Sequence, residues 1–177
     1  MSSHPAVLLV RAGTLAAALA VAACSSDGSR DALAPTAPTA SVASIASPFR
    51  GTLEGKTTSF TPLGPTTALF GSEGTGTATH LGRYTVAITL TLDLATLTGI
   101  EQSTLTAANG DILYTTATAR GTPSGDGVTV NVVETATITG GTGRFAGATG
   151  DYILKCLVNQ ATGVSTGTFE GTITLAH

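Results

Sequence analysis

No tryptophan occurs in the chain, only one methionine and two cysteines, and charged residues make up 11 % of it. Each shortage excludes something. Two cysteines, Cys24 and Cys156, cannot build a disulfide framework, so stability has to come from packing. Eight Lys and Arg stand against eleven Asp and Glu, a formal charge of −3, and nowhere do the basic residues form a run that could track a phosphate backbone. Nucleic acid is therefore not an expected partner. The three histidines, His4, His80 and His177, are too scattered for a zinc site, which needs three or four His, Cys or carboxylate ligands at workable spacing, and no metal is expected. There is no Gly-x-Ser-x-Gly elbow for a nucleophilic serine. The glycines around Gly141 and Gly143 miss the Gly-x-Gly-x-x-Gly spacing, lack a following helix and imply no dinucleotide cofactor. Apolar runs are also short, about a dozen residues at most, well under the ~20 that span a bilayer as a helix.

The longest such run lies near the start. Arg11 precedes Ala12-Gly13-Thr14-Leu15-Ala16-Ala17-Ala18-Leu19-Ala20-Val21-Ala22-Ala23, Cys24 closes it, and Ser25-Ser26-Asp27 follows at once. A charged start, an apolar middle and a small-residue end mark an export signal removed from the mature chain. Val21-Ala22-Ala23-Cys24 resembles the lipobox of bacterial lipoproteins. That resemblance implies cleavage after residue 23, acylation of the Cys24 thiol and a membrane partner reached through the N-terminal lipid. Several acyl chains at ~0.8 kcal/mol per buried methylene hold a protein on a membrane, where one chain is marginal. Ser25, rather than the Asp that commonly follows the cysteine of inner-membrane lipoproteins, implies an outer-membrane address in a cell that has one.

Residues 24–47 are dominated by Ala, Ser, Pro and Thr, with Ala34-Pro35-Thr36-Ala37-Pro38-Thr39-Ala40 at their centre. Such a stretch gains too little from packing to offset its ordering entropy, and it reads as a disordered tether. Residues 48–177 then form one domain of ordinary size.

Threonine occurs 34 times and glycine 22 times, and no window past residue 48 carries a convincing 3.6-residue apolar period. Threonine suits a pleated surface and glycine marks turns and bulges, so the domain is expected to be all-β. Tyr84, Val86, Ile88, Leu90 and Leu92 alternate with polar or small residues at period two. Val128, Val130, Val132, Ala136 and Ile138 do the same, with Glu134 falling on their apolar side. Segments 99–107 and 112–120 flank Asn109-Gly110, a tight type I′ hairpin signal. Segments 151–160 and 164–175 flank a second turn-rich junction. With 49–55 and 74–81 added there are about eight strands, enough to close an antiparallel barrel; a two-sheet sandwich is the alternative. Residues 56–73, with Pro62, Gly64, Pro65 and Gly71, are expected to be a long loop near the barrel mouth.

Thr139-Gly140-Gly141-Thr142-Gly143-Arg144-Phe145-Ala146-Gly147-Ala148-Thr149-Gly150 resembles a glycine-rich signature of allene oxide cyclase-like and dirigent-like barrels. Together with Ala78 to Tyr84 and Ala107 to Asp111, it is also similar to blocks of exported bacterial proteins. The resemblance implies a calycin-type barrel in which Gly140, Gly141, Thr142, Gly143, Gly147 and Gly150 shape a strand connection and Phe145 plugs the barrel end. It implies a homo-oligomer as well, since dirigent-like proteins are often dimers or trimers. The cyclase's polar site residues find no matching positions here, so no catalytic residue is carried over.

Within the domain, Cys156 alternates with Tyr152, Leu154 and Val158 and reads as a buried, unreactive thiol. His80 is expected at a turn beside Arg83. Glu134 is either paired with an arginine such as Arg83 or Arg120 or, with Tyr84 and Tyr114, forms the polar end of an apolar ligand cavity. The expected function is non-enzymatic: a tethered barrel that binds a small apolar molecule or serves as an envelope structural module. A cyclase- or isomerase-type enzyme using the cavity is the alternative.

Overall fold

The computed structural model describes residues 45–176. The signal, Cys24 and nearly all of the tether lie outside the described residues. Eight strands follow in order: β1 (Ala46–Pro62), β2 (Thr67–Ala78), β3 (Gly82–Asp93), β4 (Thr98–Ala107), β5 (Ile112–Pro123), β6 (Thr129–Gly141), β7 (Thr149–Asn159) and β8 (Val164–Thr174). Each pairs antiparallel with the next, and β1 pairs with β8, so the sheet closes into a single barrel with no free edge. The expectation of an all-β, eight-stranded antiparallel barrel is met, and the sandwich is not what forms.

Alternation decides which side chains fill the interior. On β6, Val130, Glu134, Ala136 and Ile138 are buried while Asn131, Val133, Thr135 and Thr137 face outward. On β3, Tyr84 and Val86 are buried with Thr85 and Ala87 outside. Threonine is the commonest residue on the outward faces, and cross-strand Thr52 and Thr77 hydroxyls meet at 3.3 Å.

Two local expectations are corrected. Residues 56–73 are mostly strand: β1 continues to Pro62, β2 begins at Thr67, and only Leu63 to Thr66 turn. Thr57, Thr58, Phe60 and Thr61 suit a pleated strand; Pro62 ends one rather than interrupting it, and Gly71 faces Ser59 beside a bulge at Thr58. The Asn109-Gly110 junction is not type I′. The Gly110 N–H donates to the Ala107 carbonyl at 2.9 Å and Gly110 alone takes a left-handed φ of +88°, the three-residue hairpin with a glycine bulge.

The two barrel ends differ. One end carries the turns after β2, β4 and β6 together with the start of β1, and it is filled. Phe49, Leu113, Phe145 and Ile173 are fully buried there, with Leu81 and Ala148 beside them. Just inside, Phe49, Tyr152 and Phe169 pack as an aromatic trio with ring centroids 5.0–5.6 Å apart. Gly51 is what makes room for Phe169, because a Cβ there would collide with its ring. The other end carries the turns after β1, β3, β5 and β7.

Candidate functional site

That second end opens into a cavity of about 440 Å³. Its wall is mainly aliphatic and aromatic: Phe60 and Phe70 from β1 and β2, Ile88, Leu90 and Leu92 from β3, Leu94 and Leu97 from the following turn, and Val130, Val132 and Val158 from β6 and β7. The volume falls in the range of small-molecule sites, and eight-stranded barrels are wide enough either to fill themselves or to hold one small ligand. Small inward residues leave the space here: Ser72, Ala119, Gly121, Gly163 and Ser165 all line it.

Toward the floor lie two carboxyl groups. Glu101 of β4 is 5 % exposed and Glu134 of β6 is 7 % exposed. The strand between them, β5, sets Ala117 opposite Glu101 and Ala119 opposite Glu134, and these short side chains let the two carboxyls meet across it. The Ser103 hydroxyl donates to Glu101 Oε1 at 2.6 Å. Burial pushes the Glu134 carboxyl up to about 9, helped by the negative charge of Glu101 and by the hydrogen bond that the protonated form makes to it. Burial raises Glu101 as well, while hydrogen bonds from Ser103 and Glu134 favour its ionised form. Of the pair, Glu134 is therefore the member that holds its proton more firmly and Glu101 the one that ionises first.

Cys156 lines the same cavity, and burial raises its thiol to about 12, so it is a neutral wall residue rather than a nucleophile at neutral pH. Deeper still, the Tyr152 hydroxyl meets the Thr115 hydroxyl at 3.1 Å.

The three residues proposed for a polar end do not come together. Glu134 lines the cavity. Tyr84 points inward, but nearer the plugged end, where its hydroxyl donates to the Thr52 carbonyl at 2.8 Å and burial lifts it to about 12. Tyr114 is 40 % exposed on the outer wall, because Leu113 and Thr115 take the inward positions of β5. Among the described residues no arginine pairs with Glu134; Arg83 and Arg120 both face solvent. Glu134's actual partner, Glu101, was legible: it shares strand parity with the inward Leu105 and Ala107.

The glycine-rich segment sits at the plugged end. Gly140 and Gly141 close β6, Thr142 accepts the Ile112 N–H on its hydroxyl at 3.0 Å, and Gly143–Phe145 make one 3-10 turn. Gly143, at φ +55°, passes against the Asp111 carboxylate where no Cβ would fit. Arg144 lies 4.9 Å from the Phe145 ring centre and 3.7 Å from Asp111, covering Phe145 from outside. Gly147 and Gly150, both at positive φ, lead into β7. His80 occupies a left-handed turn position at φ +66° in the β2–β3 connection of the same end.

Among the described residues no cluster of three or more His, Cys, Asp or Glu could hold a metal. Comparison with models of known families, with characterised proteins and with solved structures finds nothing that matches this chain.

Proposed function

We propose that this chain is an exported bacterial lipoprotein, anchored through acylated Cys24, whose barrel binds one small and largely apolar molecule. The observation that carries this reading is the cavity: one end of the barrel is packed solid by Phe145 and its neighbours while the other opens onto an apolar chamber of about 440 Å³. A purely structural module has no use for such a space, since an empty apolar cavity forfeits dispersion contacts. β1 starts at the plugged end, so the chain enters the barrel at the end opposite the mouth. The outer membrane is the favoured address.

A second reading, an isomerase- or cyclase-type enzyme, draws on the carboxyl pair, in which Glu134 holds its proton more firmly than Glu101, the kind of difference that general acid–base work requires.

Cys24→Ser tests the anchor: labelled glycerol or fatty acid no longer enters the chain, and the protein moves from the membrane fraction to the soluble one. Unchanged fractionation would end the lipoprotein reading. Native mass spectrometry of the soluble Cys24→Ser protein, followed by denaturing extraction, tests the binding reading. One apolar compound per chain, co-purified or taken up from a neutral lipophilic probe, is the expected result; a chain that takes up neither contradicts it.

A further inference from the structure

The electrostatics of the cavity go further than its size. All six Lys and Arg of the described residues, Arg50, Lys56, Arg83, Arg120, Arg144 and Lys155, are exposed on the outside of the barrel. None lines the cavity, and neither does His80. No element against the carboxyl pair turns a cation inward: β3 offers Ile88 and Leu90, β4 offers Ser103 beside Glu101, β5 offers Ala117 and Ala119, and β7 offers Leu154, Cys156 and the more distant Tyr152. Glu134, more than nine-tenths buried, faces the open chamber beside Glu101, and the other titratable groups near it, Cys156 and Tyr152, are acids that bring no positive charge.

We infer that the occupant of this cavity is an apolar cation: an amine or ammonium compound whose hydrocarbon part lies among the leucines and valines and whose head group pairs with Glu101 and Glu134. The inference rests on the binding reading and names its ligand class. Two carboxyls buried side by side without a counter-ion are an expensive arrangement for a protein to keep, and once Glu101 ionises the floor carries an uncompensated negative charge. An ammonium group neutralises that charge, and its N–H donors find acceptor oxygens on both glutamates. A neutral alcohol leaves the buried charge where it was. A fatty acid brings a second carboxylate beside the first, the like-charge placement that selective sites use for rejection. The chamber is thus built against the anionic lipids that an apolar barrel would otherwise accept.

Isothermal titration of the Cys24→Ser protein with decylamine, decanol and decanoate at neutral pH separates the cases, because the three share one chain and differ in head-group charge. The amine is expected to bind about tenfold or more tighter than the alcohol, and decanoate weaker than the alcohol by a similar factor. Acidification through the titration of Glu101 should erase the amine's advantage, and E101Q should bring the amine-to-alcohol ratio to within about threefold of unity, as expected when the buried charge is gone. If all three bind alike, or decanoate binds best, the cation inference is overturned while the binding reading stands. Should none of the three bind, both fall. The wild-type comparison decides the matter even if E101Q does not fold.

Discussion

Phe49→Ala is expected to lower the stability of the barrel by about 3–5 kcal/mol, the cost of deleting a fully buried aromatic ring from a packed interior. Phe49 has no exposed surface and touches both other members of the aromatic trio, Tyr152 at 5.6 Å edge-on and Phe169 at 5.0 Å. It sits on β1, the strand that closes the barrel by pairing with β8, so its ring holds the seam between the first and last strands. The void left behind cannot collapse easily, because the surrounding wall is fixed by backbone pairing on every side. Thermal unfolding should shift down by more than about 10 °C. Ile100→Ala serves as the comparison: that side chain is 66 % exposed on the outer wall, and its removal is expected to change stability by less than about 0.5 kcal/mol. Equal effects at the two positions would mean that the barrel interior is not where its stability resides.

The second large effect is a dependence of stability on pH. Glu134 is raised from 4.5 to about 9 in the folded barrel, chiefly by burial and secondarily by Glu101. A raised carboxyl binds its proton more tightly when folded than when unfolded. The stability that proton brings is therefore complete below the unfolded value and is lost as pH climbs from 4.5 through about 9. Asp93 and Asp126 run the other way. Each accepts hydrogen bonds from nearby backbone N–H groups, which lower its titration, so their contribution is lost only on acidification below 3.8, outside this window. The Cys156 thiol and the Tyr84 hydroxyl, both raised to about 12, act above it. Glu134→Gln mimics the protonated acid at every pH, so its denaturation midpoint should fall less across the window than that of the wild type, keeping only the loss that Glu101, also raised by burial, brings. At the alkaline end the variant should be the more stable by at least ~1 kcal/mol, the worth of one unit of displaced titration. A wild-type midpoint that rises between pH 5 and 9 would show that the carboxyl is not held in its neutral form.

Much of the fold could be read from alternation because the strands are long and a closed barrel enforces period two on every one of them. The β3 and β6 patterns, with valine, isoleucine and leucine inside, left little ambiguity. The misread region, 56–73, shows where the signal fails: glycine and proline mark a chain reversal and a bulge as readily as a loop, and only the pairing of Phe60 with Phe70 distinguishes them. The expectation that Tyr114 faces inward fails for a related reason. On β5 the inward set is Leu113, Thr115, Ala117 and Ala119, hardly more apolar than the outward set, so hydrophobicity does not rank the two faces. The same small residues that hide the face make room for Glu101 and Glu134 to meet. Their meeting depends on how two strands, one removed from each other, are staggered about a third. Strand parity brings each carboxyl inside, but stagger is a property of the closed sheet and is not written in any one strand.

Ala119 lies beside that pair and lines the chamber, which makes it the position from which the chamber can be filled. Titrating decanol and decylamine into the wild-type protein and into Ala119→Phe therefore gives the most direct measurement of whether the barrel is a binding site. A phenyl ring at 119 occupies the space a ligand would use while adding buried apolar contacts, so the variant should remain folded by circular dichroism. Saturable one-to-one binding of decylamine by the wild type, weakened about tenfold or more in the variant, is the expected result. Binding that is absent from the wild type, or equal in both proteins, would contradict it.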